Sequence, residues 1–334
     1  MKTRNKTHTF KNGKIAKNRV VVPPMASQTA DENGNVTEKT IQHYKNLAQS
    51  GAGIIFVEYS YIHKSGKGEK NQLGVDTNDK VSSLSEISKV IHESGALAGF
   101  QIVHVGGKAD SAISGMPLLG ASPIRVPVKD RNLAVPTEMT ESQVETYIDW
   151  YAEAAERVSV AGFDIVELHA AHGYGLNQWL SPITNKRSDQ FGGGVSKRAE
   201  IIFRIIRKIK NQVPSLLVGI RLPAQDHYPE GLSVEDMQWV VQELEKLGVD
   251  IIDVSSGIGG WRRPEGRNGE GYLLDDAQAL KKHLNLPVIG VGGIESGDFI
   301  DHIIENNIVD FAAVGRAILK DPQTWRLQHL QNSN

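Results

Sequence analysis

Eight short apolar runs, separated by segments of helical period, constrain the fold of this sequence more than any other feature. They are RVVVPPM (19–25), GIIFVEYS (53–60), AGFQIVH (98–104), DIVELHA (164–170), LLVGIRLP (216–223), DIIDVSSG (250–257), PVIGVGG (287–293) and FAAVGRA (311–317). Each is rich in Val, Ile or Phe with little polar alternation, the pattern of strands buried on both faces of a parallel sheet. Between them helices are expected. After Thr140, Val144, Tyr147, Ile148, Tyr151, Ala155 and Val158 recur at i, i+3, i+4 and i+7 and form one apolar stripe. Ser233 before two acidic residues reads as an N-cap, and Gly248, like the glycines of SGAG (50–53) and SGAL (94–97), reads as a helix stop. Eight strand–helix pairs in succession predict an α/β fold, a (β/α)8 TIM barrel rather than an open doubly wound sheet, spanning 1–334 as a single domain. FKNGK, between THT and IAK, predicts an N-terminal β-hairpin that plugs the lower end of the barrel. Residues 104–140, rich in Gly and Pro, form a long capping loop after strand three, read as a lid over the barrel mouth.

Composition narrows the chemistry. With Lys+Arg 37 against Asp+Glu 39 the formal charge is −2, and KDR (129–131) and KK (281–282) read as solvated surface, so no nucleic acid and no membrane is expected as partner. The cysteine count is zero, which excludes disulfides, iron–sulfur clusters and thiol nucleophiles. Redox chemistry here requires an organic cofactor. No apolar run approaches about 18 residues and the N-terminus carries no signal-peptide pattern, so a cytoplasmic protein is expected.

Barrel active sites gather on the loops at the C-terminal ends of the strands. Straight after the fourth apolar run, HAAHGY places His169, His172 and Tyr174 within six positions. Three readings of the histidines are open. They are structural imidazoles bonded beneath a loop. They are metal ligands, although HAAH lacks the Glu of a zinc-protease helix and no carboxylate set completes a shell. Or two N–H donors converge on a carbonyl oxygen while Tyr174 donates a proton nearby. VGGI (291–294) and VGRAI (314–318) follow strands seven and eight; Gly292, Gly293 and Gly315 there let backbone N–H groups close around phosphate, with Arg316 as a charged partner. Arg221, inside the apolar run LLVGIRLP, calls for an anionic or electron-rich partner, because an unpaired buried charge costs several kcal/mol.

KNRVVVPPMAS, FQIVHVGGKA, AGFDIVELHAAHGYGLNQWLSPITNKRSDQFGGG, EGLSVED, GVDIIDVSSG and VGRAILKDP together resemble, over nearly the whole chain, the Old Yellow Enzyme family of FMN-dependent NAD(P)H oxidoreductases, most closely its short bacterial ene-reductase branch. The resemblance implies a flavoprotein with FMN as cofactor and NADH or NADPH as reductant. It implies that Pro23, Pro24, Met25 and Ala26 run along the flavin with Tyr59 close by, that Gln101 bonds its pyrimidine edge, and that Arg221 sits at its N1/C2 oxygen side. Gly292, Gly293, Gly315 and Arg316 would hold the FMN phosphate. His169 and His172 would grip the carbonyl oxygen of a small-molecule enone, with Gln28 in the substrate pocket and Tyr174 protonating the α-carbon. The implied reaction is ping-pong: a hydride passes from NAD(P)H by way of flavin N5 to the β-carbon of an activated alkene. The chain departs from the family pattern at Ala26, Gln28, Tyr59 and Gly107, and its end, LQHLQNSN, has no arginine of the kind some relatives insert into a neighbouring subunit. A homo-oligomer stays open. So do three alternatives: an FMN barrel reducing flavin, quinone or oxygen with little ene-reductase activity, an FMN sensor, and a non-redox phosphate-binding barrel. The arginines of WRRPEGRNGEGY (261–272) lie close to the expected mouth, either drawing an anionic substrate or the NADPH phosphate or forming a solvated loop.

Overall fold

The structure is a computed structural model and describes residues 2–129 and 132–330; Asp130 and Arg131 of KDR and the terminal QNSN lie outside the described residues. Eight parallel strands close a TIM barrel: β1 (Val20–Val22), β2 (Ile54–Tyr61), β3 (Leu97–Val103), β4 (Ile165–His169), β5 (Leu217–Pro223), β6 (Ile251–Ser255), β7 (Val288–Gly290) and β8 (Phe311–Ala313). Each pairs with its neighbour in the chain, and β8 closes on β1 through Ala312–Val20 and Ala313–Val21. Helices α1 (Glu38–Ala48), α2 (Val81–Glu93), α3 (Glu141–Val160), α4 (Val195–Gln212), α5 (Val234–Lys246), α6 (Leu274–Lys281) and α7 (Gly297–Glu305) return the chain between strands, and α8 (Arg316–Lys320) and α9 (Pro322–His329) follow the last.

The predicted punctuation is in place. Thr140 caps α3 in a reciprocal box with Gln143, and Ser233 accepts the Asp236 amide at the start of α5. Gly248 follows α5 at φ 85°, a left-handed conformation cheap only for glycine. The stripe expected on α3 is buried, with Val144, Tyr147, Ile148, Tyr151, Ala155 and Val158 turned to the sheet.

The strands bury both faces. Ile54 and Phe56 point into the barrel while Ile55 and Val57 pack under the helices, as the two-residue period dictates. At the N-terminal end the interior is filled by Val21, Ile54, Ile165, Leu217, Ile251, Ile289 and Phe311. The short strands His8–Thr9 and Ile15–Ala16 pair antiparallel below it, and Phe10 from their turn stacks on Phe311 with ring centroids 6.2 Å apart. The hairpin therefore plugs the lower end, and burying Phe10 contributes about 2–3 kcal/mol.

Toward the C-terminal end the same inward parity carries polar side chains. Gln101, Glu167, Arg221 and Asp253 are all buried, two positions beyond apolar or glycine positions on their strands. The excursion 104–140 folds as a Gly106–Lys108 turn, a short helix Ser111–Ser114 and a two-residue strand pair, Leu119–Gly120 with Thr137–Glu138. It runs along the flank of the mouth. Val126 and Leu133 pack on Ile258 of the loop after β6, and Lys108 reaches the loop after β4.

Candidate active site

A cavity of about 610 Å³ opens at the C-terminal end of the barrel, within the size range of small-molecule sites. Pro23, Pro24, Met25 and Ala26 form one wall, and Tyr59, Gln101 and Arg221 face it from β2, β3 and β5. His169, His172 and Tyr174 line the same space, and Gly293, Gly315 and Arg316 close its far end. Two predicted residues lie outside the lining. Gly292 (φ 129°) packs its backbone against the loop 271–273, its carbonyl accepting the Gly271 and Tyr272 amides. Gln28 (φ 53°) stands exposed at the rim and donates to Glu69 at 3.0 Å.

His169 ends β4 with the inward parity of Ile165 and Glu167. Its Nδ1 accepts the Ala171 amide at 3.3 Å, which leaves Nε2 as the N–H donor. The chain then turns through His172 (φ 58°) and Gly173 (φ 69°). A left-handed histidine costs about 1–2 kcal/mol, and the surroundings hold it: its amide donates to the Ser256 carbonyl at 2.9 Å, and its own carbonyl accepts Lys108 Nζ at 2.8 Å. His172 Nε2 lies 2.7 Å from Ser255 Oγ; when that hydroxyl donates, Nδ1 carries the proton. Burial first, then the Arg221 and Lys108 charges, hold the His169 imidazole well below its ordinary pKa; for His172 the neighbouring His169 adds to both. Both rings are neutral donors at physiological pH.

Tyr174 sits edge-on to His169, centroids 4.8 Å apart, and nearly parallel to Tyr59 at 5.4 Å. Lys108 Nζ lies 4.3 Å from the Tyr174 ring centroid, a cation–π contact. The loop is pinned from behind. Gln178 accepts the Gly107 amide and donates to the carbonyls of Val105 and Gly173, while Asn177 accepts the Gly173 amide.

Beneath the cavity, Arg221 Nε lies 3.1 Å from Asp253 Oδ2, and Gln101 donates to Glu167 Oε1 at 2.8 Å. Two carboxyls thus face one guanidinium. Burial raises both, and the Asp253 charge raises Glu167 further, so Glu167 holds the proton. Arg221 Nε and Asp253 Oδ2 approach as an ion pair without forming a well-directed hydrogen bond, and Asp253 Oδ1 and Glu167 Oε2 have no hydrogen-bond partner in the protein.

Several contributors escaped sequence reasoning. Glu69, in the polar stretch KGEKN, gave no signal. Glu167 and Asp253 carried the same signal as Arg221, a charge inside an apolar run. Of the three mouth arginines, Arg262 and Arg263 line the cavity with Trp261, whereas Arg267 is tied to Asp276 at 2.9 and 3.1 Å. Among the described residues no group of three or more His, Asp or Glu could hold a metal. No helix there is long and apolar enough to cross a membrane.

A closed eight-stranded parallel barrel with side-chain donors and a buried guanidinium around its mouth cavity places the chain in the TIM-barrel class. The chain belongs to the NADH:flavin oxidoreductase / NADH oxidase family, whose description matches residues 8–333. The family's description couples NADH with a flavin. Among solved structures it is similar to an old yellow enzyme homologue from Zymomonas mobilis (TM-score 0.84, 22% identity, 97% of this chain and 91% of that one). It is also similar to a 2-naphthoyl-CoA reductase (0.89, 22%, 97% and 51%) and to histamine dehydrogenase from Rhizobium sp. 4-9 (0.86, 23%, 96% and 47%). The chain spans about half the length of these last two.

Proposed function

We propose that this chain binds FMN in the mouth cavity and carries a hydride from NADH or NADPH to an activated alkene conjugated to a carbonyl. The observation that carries this reading is the convergence of two neutral imidazoles and a phenol on a cavity backed by a buried guanidinium. The residues present fit FMN. Pro23 to Ala26 offer a flat apolar wall for an isoalloxazine, and Arg221 supplies the missing counter-charge of an electron-rich ring edge. At the far end Gly293 (φ 69°) and Gly315 leave room that a side chain would take: a Cβ on Gly315 would meet Met25 Sδ at 3.3 Å. Arg316 beside them suits a phosphate.

Bound FMN would supply a two-electron carrier between nicotinamide and alkene. The chain's own residues do the rest. His169 Nε2–H and His172 Nδ1–H, the latter set by Ser255, donate to the substrate carbonyl oxygen, where negative charge builds as the β-carbon is reduced. Tyr174 O–H protonates the α-carbon, with Lys108 against its ring.

The test is an anaerobic titration of the yellow protein with NADH and NADPH, followed by enones, quinones and oxygen. Bleaching by a nicotinamide and recovery of colour by an enone is the expected result. A colourless protein that takes up no FMN sinks the reading. Bleaching followed by recovery only with quinone or oxygen favours a second reading, a flavin-dependent quinone or oxygen reductase or a sensor. That reading draws on Tyr59, whose ring fills space beside Tyr174 and His169.

A further inference from the structure

Arg221 does not face the cavity alone. On β5 it pairs in register with Asp253 of β6 on one side and with His169 of β4 on the other, so the three share one level of the barrel interior. Asp253 Oδ2 lies 3.1 Å from Arg221 Nε, at the root of the guanidinium fork, while Arg221 still lines the cavity. Both side chains are almost wholly buried, and neither oxygen of Asp253 has a hydrogen-bond donor among the described residues. A buried carboxylate without donors keeps its charge only beside an opposite one, and here that is the guanidinium. Glu167 stands one level lower, in register with Gly219, and its Oε1 takes the Gln101 amide at 2.8 Å.

We propose that Asp253 sets the reduction potential of the bound flavin by offsetting the Arg221 charge, an inference that rests on the FMN reading above. The hydride that leaves NAD(P)H carries two electrons and one proton to the ring. The ring thereby gains one unit of negative charge, and the nicotinamide one unit of positive charge. A lone guanidinium beside the ring would favour that negative charge in full, because little water screens it there. With Asp253 attached, the cavity instead meets an ion pair, whose field falls off faster with distance than that of a single charge. The flavin is then harder to reduce, and once reduced it gives up its hydride more readily. Asp253 acts through Arg221 and is a positioning residue. Glu167, kept protonated by burial and by the Asp253 charge, adds no charge of its own.

The test uses FMN-loaded protein and two measurements without turnover: the midpoint potential of the bound flavin, and its affinity for sulfite, which adds to flavin N5 and leaves the ring negatively charged. Glu167→Gln is the background, since a glutamine there cannot take over the charge that Asp253 gives up. On its own it is expected to stay within about threefold of wild type in sulfite affinity. Adding Asp253→Asn is expected to favour flavin reduction by roughly tenfold or more, a rise of about 30 mV for a two-electron couple, and to tighten sulfite by about the same factor. Damaged packing would loosen FMN and weaken sulfite, not tighten it. Adding Arg221→Gln as well leaves no stranded charge, so this variant keeps the test open if the asparagine protein fails to fold. Its sulfite affinity is expected within roughly tenfold of wild type. A larger loss, of sulfite or of FMN itself, means that Arg221 acts as a full cation in the wild type and overturns the inference. So does a smaller effect of Asp253→Asn, or an equal one of Glu167→Gln alone. A wild type that takes up no FMN overturns the underlying reading too, whereas a yellow wild type with unresponsive variants overturns this inference only.

Discussion

At Arg221 the electrostatics of the site rest on one nitrogen 3.1 Å from Asp253 Oδ2 in a fully desolvated tier. Asp253 is the ionised partner and Glu167 the protonated one, so their amide variants should differ. Asp253→Asn leaves the guanidinium buried without an opposite charge and is expected to cost about 3–5 kcal/mol in urea unfolding at pH 7. Glu167→Gln keeps the bond with Gln101 and replaces a neutral acid by a neutral amide. Its sign with pH is fixed: a carboxyl whose folded pKa lies above its unfolded value near 4.5 loses stability as pH rises through that window. Glu167→Gln should therefore cost under about 1 kcal/mol at pH 5 and match or exceed wild type at pH 7. Equal losses for the two variants would contradict the assignment. Arg221 was legible because a guanidinium in an apolar run demands a partner. Which carboxyl supplies the charge was not, since that depends on cross-strand register. Removing both imidazoles, in His169→Ala with His172→Ala, should leave bound flavin in place yet lower enone turnover by roughly 10²–10³-fold; wild-type turnover in that variant would remove them from the reaction.

Among the elements, the string SPITNKRSDQFGGG turns out to be scaffold. Asn185 donates to the carbonyls of Trp179 and Phe191, and Arg187 donates to the carbonyls of Ala121 and Met139 while pairing with Asp189. Arg187 thus ties the loop after β4 to the excursion 104–140. Removing it strands two buried carbonyls and the Asp189 charge, so Arg187→Leu is expected to cost about 3 kcal/mol. It should also speed tryptic cleavage after Arg125 and Lys129, whereas cleavage at the wild-type rate would mean the excursion is held by its apolar contacts alone. Strand existence was legible from the apolar runs, but β1, β7 and β8 span three residues each because the runs there continue into loops that turn toward the cavity. The excursion was legible as long. Its packing along the flank was not, because its polar anchors come from residues 48 to 71 positions away in sequence and its apolar anchor, Ile258, from farther still.

For the whole molecule, the alternation of runs predicts a closed barrel because eight strand–helix units have one compact arrangement, and the hairpin plug follows from where the first strand must begin. What alternation does not encode is the gathering of three histidines, buried His104 and His169 and half-buried His172, around one end of that barrel. Burial is the first cause of the lowered pKa in each, and for His104 it goes down to about 3. A folded value below the unfolded value near 6.5 means that the unfolded chain takes up protons first, so stability is full above that pH and lost as pH falls toward the folded value. Each such group adds a slope of about 1.4 kcal/mol per pH unit. Buried Glu58, Glu167, Asp226 and Asp253, raised chiefly by burial, act oppositely between their folded values and about 4 to 4.5, and fall silent below. Below that point Asp189 and Asp276, held low by their hydrogen bonds and arginine partners, add to the histidine loss. Stability should therefore decline gently from about pH 6.5 and steeply below about 4.5. His104, whose Nε2 meets Ser65 Oγ at 3.0 Å and whose Nδ1 accepts the Gly106 amide at 3.1 Å, isolates the histidine share. His104→Gln is expected to be less stable at pH 7 but to flatten the urea-unfolding slope by about 1.4 kcal/mol per pH unit between about 6.5 and 3, and parallel curves for the two proteins would show that His104 does not titrate on unfolding.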